Sequence, residues 1–529
     1  MAEGFVLPVR LYGKPHQCGE TGVMFLSGSG SVPGGGHERN YSLLKAAAWW
    51  KAYGGKAAVF TPHLEFAQLA HEVADSVYLG ELSPAAVGAA CADAGKPALC
   101  GEYGGREAMA CAEETRKRYG RIRTLSEYGV VLDTGYILKE LKARGVNVVP
   151  FAVGRMEAAR FVEGCRFPVL ASAGRPGEKG ERRILYSRAE AEDFLARSRE
   201  ESVLLRELEE EAQEVLVEAV ASSWGERPLV LWEQLEGQGT CAGDGLALYP
   251  PPNLTSERIW AVEAMARETL DRMSWRGNVS LRIICHNGEV RLWDVRPGAS
   301  CDLPFLERAS GIPLVEMGMA AVMGEGIPAY LERKELFAVR MPVFPGRVLA
   351  GCDMLPWPHR RSTGAVMGMA SHPGVALAKV LMSQGITPRP GGTALLSEAN
   401  REKRRAVLLA RELREAGYRL VATRGTAFTL KATGLDVEVV NKLHEGRPNV
   451  LDYIRNGRVD LIVNVPRGRQ PRSDGFYIRE DAARHGIPCI TDMDVALALV
   501  RGMRATEPGA WEVRSLDGSD RLYHQVGSG

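Results

Sequence analysis

The chain has 529 residues, 45% of them hydrophobic and 25% charged, with a formal net charge of +1 at pH 7. That length and balance suit a globular chain of about three or four domains. A charge so near zero gives no general attraction to nucleic acid or to an anionic membrane. No apolar run approaches the roughly 18 residues of a membrane-spanning helix. The opening residues Met1-Ala2-Glu3-Gly4-Phe5 lack a basic segment followed by an apolar one, so no secretory signal is expected and the location is read as cytoplasmic. The ten cysteines fall singly with no C-x-x-C pair, which predicts buried free thiols rather than a zinc site or a disulfide framework.

In chain order, Val23-Met24-Phe25-Leu26, the loop Ser27 to Gly36 and the amphipathic run Asn40 to Tyr53 read as strand, glycine loop and helix. Strand and helix then alternate to about residue 125, which implies parallel strands with crossover helices. A glycine loop at the carboxyl end of a strand lets backbone N–H groups approach a phosphate. These glycines do not fit G-x-G-x-x-G, however, and a tight structural turn accounts for them equally well. From about 126 to 345 the pattern becomes a mixture of strands and helices. The run Glu207-Leu208-Glu209-Glu210-Glu211 reads as a solvated helix or hinge face. Residues 339 to 390 are rich in Pro, Gly and Met. Within them Val339, Met341 and Val343 alternate as the buried face of a strand, and Pro388-Arg389-Pro390 reads as a linker.

Beyond residue 391 comes a strand at Ala394-Leu395-Leu396, a helix around Arg404 to Ala416 and a strand at Arg419-Leu420-Val421-Ala422. The loop Thr423-Arg424-Gly425-Thr426 then opens another helix. Hydroxyls and free N–H groups at a helix start suit an anion, helped by the helix dipole. Residues 401 to 485 carry 18 Lys plus Arg against 11 Asp plus Glu, so this region holds the positive field.

Three short blocks sharpen the reading: Arg361-Ser362-Thr363-Gly364-Ala365-Val366-Met367-Gly368, Ala422-Thr423-Arg424-Gly425-Thr426-Ala427, and Asn441-Lys442-Leu443-His444-Glu445-Gly446-Arg447-Pro448. They are preceded, in order, by Gly101-Glu102-Tyr103-Gly104-Gly105-Arg106, Phe167-Pro168-Val169-Leu170, Glu214 to Ala219, Gly243-Asp244-Gly245 and Gly288 to Pro297. This series resembles the C-terminal half of the large subunit of carbamoyl-phosphate synthetase. The resemblance implies an α/β chain with a Rossmann-like pre-ATP-grasp domain at 1–125, an ATP-grasp domain at 126–345, a junction and linker at 346–390, and a methylglyoxal-synthase-like domain at 391–529. It further implies that Glu214 contacts the ATP ribose, that Asp244, Arg175 and Lys179 are candidates for the nucleotide, and that Lys403, Thr423, Thr426, Lys442 and Asn464 hold the phosphate of a small phosphorylated effector.

The same comparison exposes losses. Where the family places a Glu, an Asn and a Gln as oxygen ligands to metal, this chain has Asp294, Arg296 and Arg282. Asp294 can still ligate, but a guanidinium has five donors and no acceptor. A fixed positive charge about 4 Å from a cation costs on the order of 4 kcal/mol per unit-charge pair at an effective dielectric near 20, so ATP is the expected nucleotide while Mg2+ is disfavoured. Two expected phosphate-side arginines fall on Ser172 and Thr134, and the Gln of the Tyr-Gly-Gly-Gln block is Arg106. His444 beside Glu445 reads as fixing a turn more than as an acid or base, and no methylglyoxal-synthase catalytic block is present. Two functions stay open. One is a sensor or regulatory module built on an impaired ATP-grasp site. The other is an active ATP-dependent, carbamoyl-phosphate-forming type of ligase in which arginines replace magnesium. Only one synthetase half is recognisable and no glutaminase, so a synthetase-type protein partner or self-association is expected, with no nucleic acid or membrane partner.

Overall fold

The computed structural model describes residues 8–28, 37–126, 133–174, 180–198, 203–209, 211–223, 226–327, 336–347, 351, 353, 355, 358–385, 391–399, 402–465 and 474–505. Arg175 and Lys179 lie outside the described residues, as do most of the glycine loop and the linker at 386–390. The chain forms two compact units, one of residues 1–233, 237–239 and 251–334 and the other of residues 234–236, 240–250 and 335–529. The four segments expected from the sequence are thus gathered in two bodies, with the break near 334.

The first unit opens with β1 (Val9–Tyr12), β2 (Val23–Leu26), α1 (His37–Ala52), β3 (Ala57–Thr61), α2 (Leu64–Ala70), β4 (Ser76–Leu79), α3 (Pro84–Ala94), β5 (Ala98–Cys100) and α4 (Arg106–Tyr119). The sheet order is β1-β4-β3-β2-β5, with β1 antiparallel to β4 and the other pairs parallel. Every residue of β2 and β3 is buried, as expected of apolar strands covered on both faces. Local signals frame the helices. Ser83 caps α3 by accepting from the Ala86 N–H, Pro84 stands in its first turn, and Gly95 closes it at φ 91°. Met24, Leu26, Phe60, Tyr78, Val87 and Leu99 belong to the core.

The unit continues with α5 (Thr134–Ala143), β6 (Phe151–Val153), α6 (Arg155–Gly164), β7 (Val169–Ala173), β8 (Glu181–Leu185), α7 (Arg188–Arg197) and β9 (Val203–Glu207). These strands form an antiparallel sheet, β6-β9-β7-β8, with Val162, Val169, Phe194 and Leu205 in its core. Next come β10 (Gln213–Ala221), β11 (Leu229–Gln234), β12 (Ala247–Tyr249), α8 (Ser256–Asp271), β13 (Gly277–His286), β14 (Glu289–Pro297), α9 (Leu303–Ser310) and α10 (Leu314–Val322). Strands run in the order β14-β13-β10-β11, and Val215, Val217, Leu281, Ile283 and Val295 fill one face against Val262 and Leu270 of α8. Of the acidic run, Glu207 ends β9, Leu208 is buried, Glu209 is paired with Arg291 and Glu211 is exposed, so the expectation of a solvated helix or hinge face is corrected at 207–209.

The second unit contains β12 together with β15 (Phe337–Val343), β16 (Gly364–Ala370) and α11 (Pro373–Ser383). It also contains β17 (Thr393–Leu396), α12 (Lys403–Glu415), β18 (Arg419–Thr423), α13 (Arg424–Lys431), β19 (Glu438–Val440), α14 (Val450–Arg455), β20 (Leu461–Val463), α15 (Asp474–Arg484), β21 (Cys489–Ile490) and α16 (Met493–Ala505). β15 pairs with both β12 and β16. It is therefore a central strand, which corrects the expectation of one buried face: Val339 is buried, Met341 and Val343 only partly so, while Ala338 and Arg340 on the other face are buried. Arg340 is tolerated there because its guanidinium donates to the Gly243 carbonyl at 2.9 Å. A second sheet, β19-β18-β17-β20-β21, is wholly parallel. The nine described cysteines are free thiols. No described helix is long and apolar enough to cross a membrane.

Asp244 is completely buried in the second unit, and its two oxygens accept from the Arg361 and Ser362 backbone N–H groups at 2.6 and 3.1 Å. Removing that carboxylate leaves two buried donors unmade. Asp244→Ala is expected to destabilise the second unit by about 3 kcal/mol, read as a lowered urea midpoint, while the far-UV signature of the folded chain is retained.

Candidate functional site

In the first unit the register of β10, β13 and β14 assembles a polar face. Cross-strand partners share a face, as do residues two apart. Glu218, Ser280 and Arg296 form one row and Leu216, Arg282 and Asp294 the next, with Glu214 opposite Ile284. The β13–β14 pairing slips between Arg282 and Ile283, whose partners are Asp294 and Leu292, so that Trp293 is the extra residue. Such a bulge re-aims a side chain. Trp293 accordingly packs with Ile284 and with Leu170 and Ile184, while Leu292 stays in the core beneath.

The four-stranded sheet contributes a second set. Arg182 is paired with Ser172, and Arg206 with Leu170, which puts both arginines on the face of Leu170 and Ile184. The two faces thus share one apolar floor, lined above by charge. Arg206 is buried; it donates to the Trp293 carbonyl at 3.0 Å, lies 3.6 Å from Asp294 and sits 3.9 Å from the Trp293 ring centroid. Arg282 lies 4.5 Å from the same ring and is ion-paired with Glu214. Such stacking of guanidiniums on indole is favourable where water is excluded.

Asp294 accepts three hydrogen bonds. Its Oδ2 accepts from Arg296 Nε and Nη2 at 2.9 and 2.7 Å, and its Oδ1 accepts from the Val295 N–H at 3.0 Å. Burial works to raise its pKa, but Arg296, Arg206, Arg282 and Arg106 together hold the carboxyl well below the ordinary range. Glu214 behaves in the opposite sense, raised by burial with Arg282 opposing. Among the described residues no group of three or more His, Cys, Asp or Glu side chains is arranged to hold a metal ion. A guanidinium offers no acceptor to a metal ion, and Arg296 takes both bonds at Asp294 Oδ2.

The second unit brings its candidate residues to the carboxyl edge of the parallel sheet. In the order β19-β18-β17-β20-β21, succession reverses direction between β17 and β20, the switch point at which such sheets bind ligands. Asn464 follows β20, and its amide donates to the Ser397 carbonyl at 3.2 Å while accepting from Arg479 at 3.1 Å. Arg479 is itself fixed by Asp353 through two bonds of 2.6 and 2.7 Å. Thr423 stands at the N-cap of α13 but does not cap it with its side chain. A Cβ at Gly425 would meet the Lys403 ammonium at 3.2 Å, so glycine there lets the cation stand beside the helix start. The Thr426 hydroxyl accepts from the Glu398 N–H at 3.2 Å. Lys442, two residues past the Val440 partner of Thr423, is exposed. Glu398 sits nearby, and burial, with Glu402 and Asp492 adding, pushes its carboxyl well above the ordinary range, which lessens its repulsion of an anion.

Residues 405–491 match the MGS-like domain family. The carbamoyl phosphate synthase large chain of Rubrobacter xylanophilus is 31% identical over 525 residues, covering 96% of this chain and 49% of that protein. That of Archaeoglobus fulgidus is 31% identical over 386 residues, covering 70% and 35%. The chain is a homologue of carbamoyl phosphate synthase large chains. It spans about half the length of those relatives or less. Solved structures show the fold alone. The ADP complex of an N5-carboxyaminoimidazole ribonucleotide synthetase matches at a TM-score of 0.51 with 14% identity, over 69% of this chain and 96% of that one. The biotin carboxylase domain of Hydrogenobacter thermophilus 2-oxoglutarate carboxylase, in complex with MgADP, ADP and bicarbonate, matches at 0.51 with 14% identity, over 69% and 89%. The fold of this large-chain homologue is therefore α/β, of the ATP-grasp and biotin carboxylase type, with an MGS-like domain at its C-terminal end.

Against that fold the candidate residues divide. Glu214, Arg282, Asp294 and Arg296 come together, whereas Asp244 belongs to the second unit and binds backbone. The cations expected at Ser172 and Thr134 have neighbours in their place: Arg182 faces Ser172 across the strands, and Arg106 donates to the Thr134 hydroxyl at 3.0 Å. Arg206, Arg182, Trp293, Glu398 and Arg479 were missed by sequence reasoning. Only the alternation of β8 and β9 offered a signal for the first two. His444 is exposed and lies 3.0 Å from Asp474.

Glu218 gives a pH test. Its Oε2 bonds the Ser280 hydroxyl at 3.1 Å, and burial raises its carboxyl to about 8, with Ser300 opposing and Asp302 adding. The folded state keeps this proton while the unfolded state loses it, so the contribution is complete below the unfolded value near 4 and is lost as pH rises through about 8. Glu218→Gln is expected to flatten the fall in urea stability between about pH 5 and pH 8 relative to the parent chain.

Proposed function

We propose that this large-chain homologue is a regulatory module that binds a phosphorylated metabolite through its MGS-like domain, and that its ATP-grasp cleft does not run magnesium-dependent ligase chemistry. The observation that carries the second half is the Asp294 carboxylate, tied to Arg296 and the Val295 N–H with Arg206 beside it. A ligase of this fold must place divalent metal against the nucleotide phosphates, and a guanidinium can donate to phosphate but never to metal. The first half is supported by Thr423, Gly425 and Lys403 at the start of α13 and by Asn464 across the switch point. A helix start flanked by a lysine favours a phosphate dianion.

The fold neighbours solved with ADP favour a second reading, an ATP-dependent ligase with altered metal dependence. In it the arginines themselves neutralise phosphoryl charge. The two are separated by isothermal titration with uridylate, inosinate and ATP, with and without magnesium, alongside an assay of ADP release. The regulatory reading expects saturable binding of a monophosphate without turnover, and Lys442→Ala should weaken it by about tenfold, the 1.4 kcal/mol of one charge-assisted contact. Magnesium-stimulated ADP release would overturn it.

A further inference from the structure

Glu398 follows β17, the middle strand of the parallel sheet, and joins the two halves of the candidate phosphate site. Its N–H donates to the Thr426 hydroxyl at 3.2 Å, and the preceding Ser397 carbonyl accepts from the Asn464 amide at 3.2 Å. Its own Oε2 accepts from the Val465 N–H at 3.2 Å. The residue is 9% exposed, and its Oε1 has no hydrogen-bond partner. A buried carboxylate needs several donors or a cation. Glu398 has one N–H and, among the described residues, no ion pair. The neighbouring elements do not supply the charge. Glu402 stands at the N-cap of α12 and Asp492 ahead of α16. Arg405 lies 3.6 Å from Glu402 and bonds Asp494. Asp492 is pushed up to about 6 by burial and then by Asp494, and beyond it Glu236 is raised by burial and by Asp492, with Arg340 opposing. On β21 burial pushes the Cys489 thiol up to about 12. Lys403 stands beside Gly425, and Arg479 bonds Asp353 and Asn464. Burial, with Glu402 and Asp492 adding and the Val465 N–H opposing, holds the Glu398 carboxyl well above the ordinary range.

We propose that Glu398 is a proton-linked specificity residue of the MGS-like domain: the site takes its phosphorylated ligand while Glu398 is a carboxylic acid, and releases it when that group ionises. The proton comes from solvent. An ionised Glu398 sets a negative charge between the Thr423–Thr426 loop and Asn464, where it repels the anion through a poorly solvated site; the neutral acid does not. By linkage, the bound anion holds the proton as firmly as the proton favours the anion. Affinity is therefore complete below the pKa of Glu398 in the free chain and falls as pH rises through it. An ordinary phosphate site has the opposite sign, gaining affinity as the ligand completes its second ionisation near about pH 6. The inference rests on the reading that this domain binds a phosphorylated metabolite, and adds proton control to it.

The test is isothermal titration of the full chain and of Glu398→Gln between about pH 6 and about pH 9, with uridylate, inosinate and inorganic sulfate, an anion whose charge is constant over that range. Glutamine keeps the size and a donor but does not ionise. Buffers of different ionisation heat count the protons taken up, and Lys442→Ala run alongside assigns the heat to the second unit. Across this range the parent is expected to lose at least about tenfold in affinity relative to Glu398→Gln, with a proton uptake that the variant lacks. Circular dichroism checks the fold, and if Glu398→Gln does not fold, Glu398→Met takes its place. If the two chains share one pH profile and one proton count, or if the folded variant binds no probe that the parent binds, this inference falls and the regulatory reading stands. If neither chain binds any of the three anions at any pH, or if Lys442→Ala leaves the heat unchanged, both fall.

Discussion

The Asp294 carboxylate accepts from Arg296 through two short bonds and from the Val295 N–H, lies 3.6 Å from Arg206, and is the centre around which the polar groups of this face are arranged. A buried carboxylate with open lone pairs is a metal ligand in waiting; one whose lone pairs are taken by guanidiniums is part of a cationic wall. The neighbouring groups follow from it. Arg282 takes up Glu214, Trp293 is turned inward by the bulge to stack with Arg282 and Arg206, and the polar face of β10, β13 and β14 becomes donor-rich.

The second unit is organised differently. Its parallel sheet has its switch point between β17 and β20, and there the free N–H groups of α13, the Lys403 ammonium and the Asn464 amide stand at neighbouring strand ends. Little of this depends on burying charge. The one buried guanidinium of this edge, Arg479, spends its donors on Asp353 and on the Asn464 oxygen, and so fixes which way that amide points. Fixing the amide leaves its orientation independent of the ligand, which limits the ordering cost of binding.

Much of the fold was legible in local signals. The strand at Val23–Leu26 and the helix that opens at Thr423 coincide with the structure because each is set by neighbours in sequence. The alternation at 339 to 343 marked a strand correctly but not its place in a sheet, nor the burial of Ala338 and Arg340 on its other face. At Glu209 the expectation of a solvated face failed for a related reason: Arg291, over eighty residues away, pairs with it.

The order of motifs along the chain determined the class of fold, the presence of an MGS-like segment, and the arginines at 282 and 296, since each of these is a statement about residue identity at a position. Tertiary structure alone decided how those identities act. It paired Arg282 with Glu214, turned Trp293 into the cleft through a one-residue slip, set Arg182 across from Ser172 and Arg106 beside Thr134, and brought Asp353 to Arg479. The physical reason is that electrostatic and hydrogen-bond energies depend on distance through space and on burial, and strand register, rather than separation along the chain, sets both.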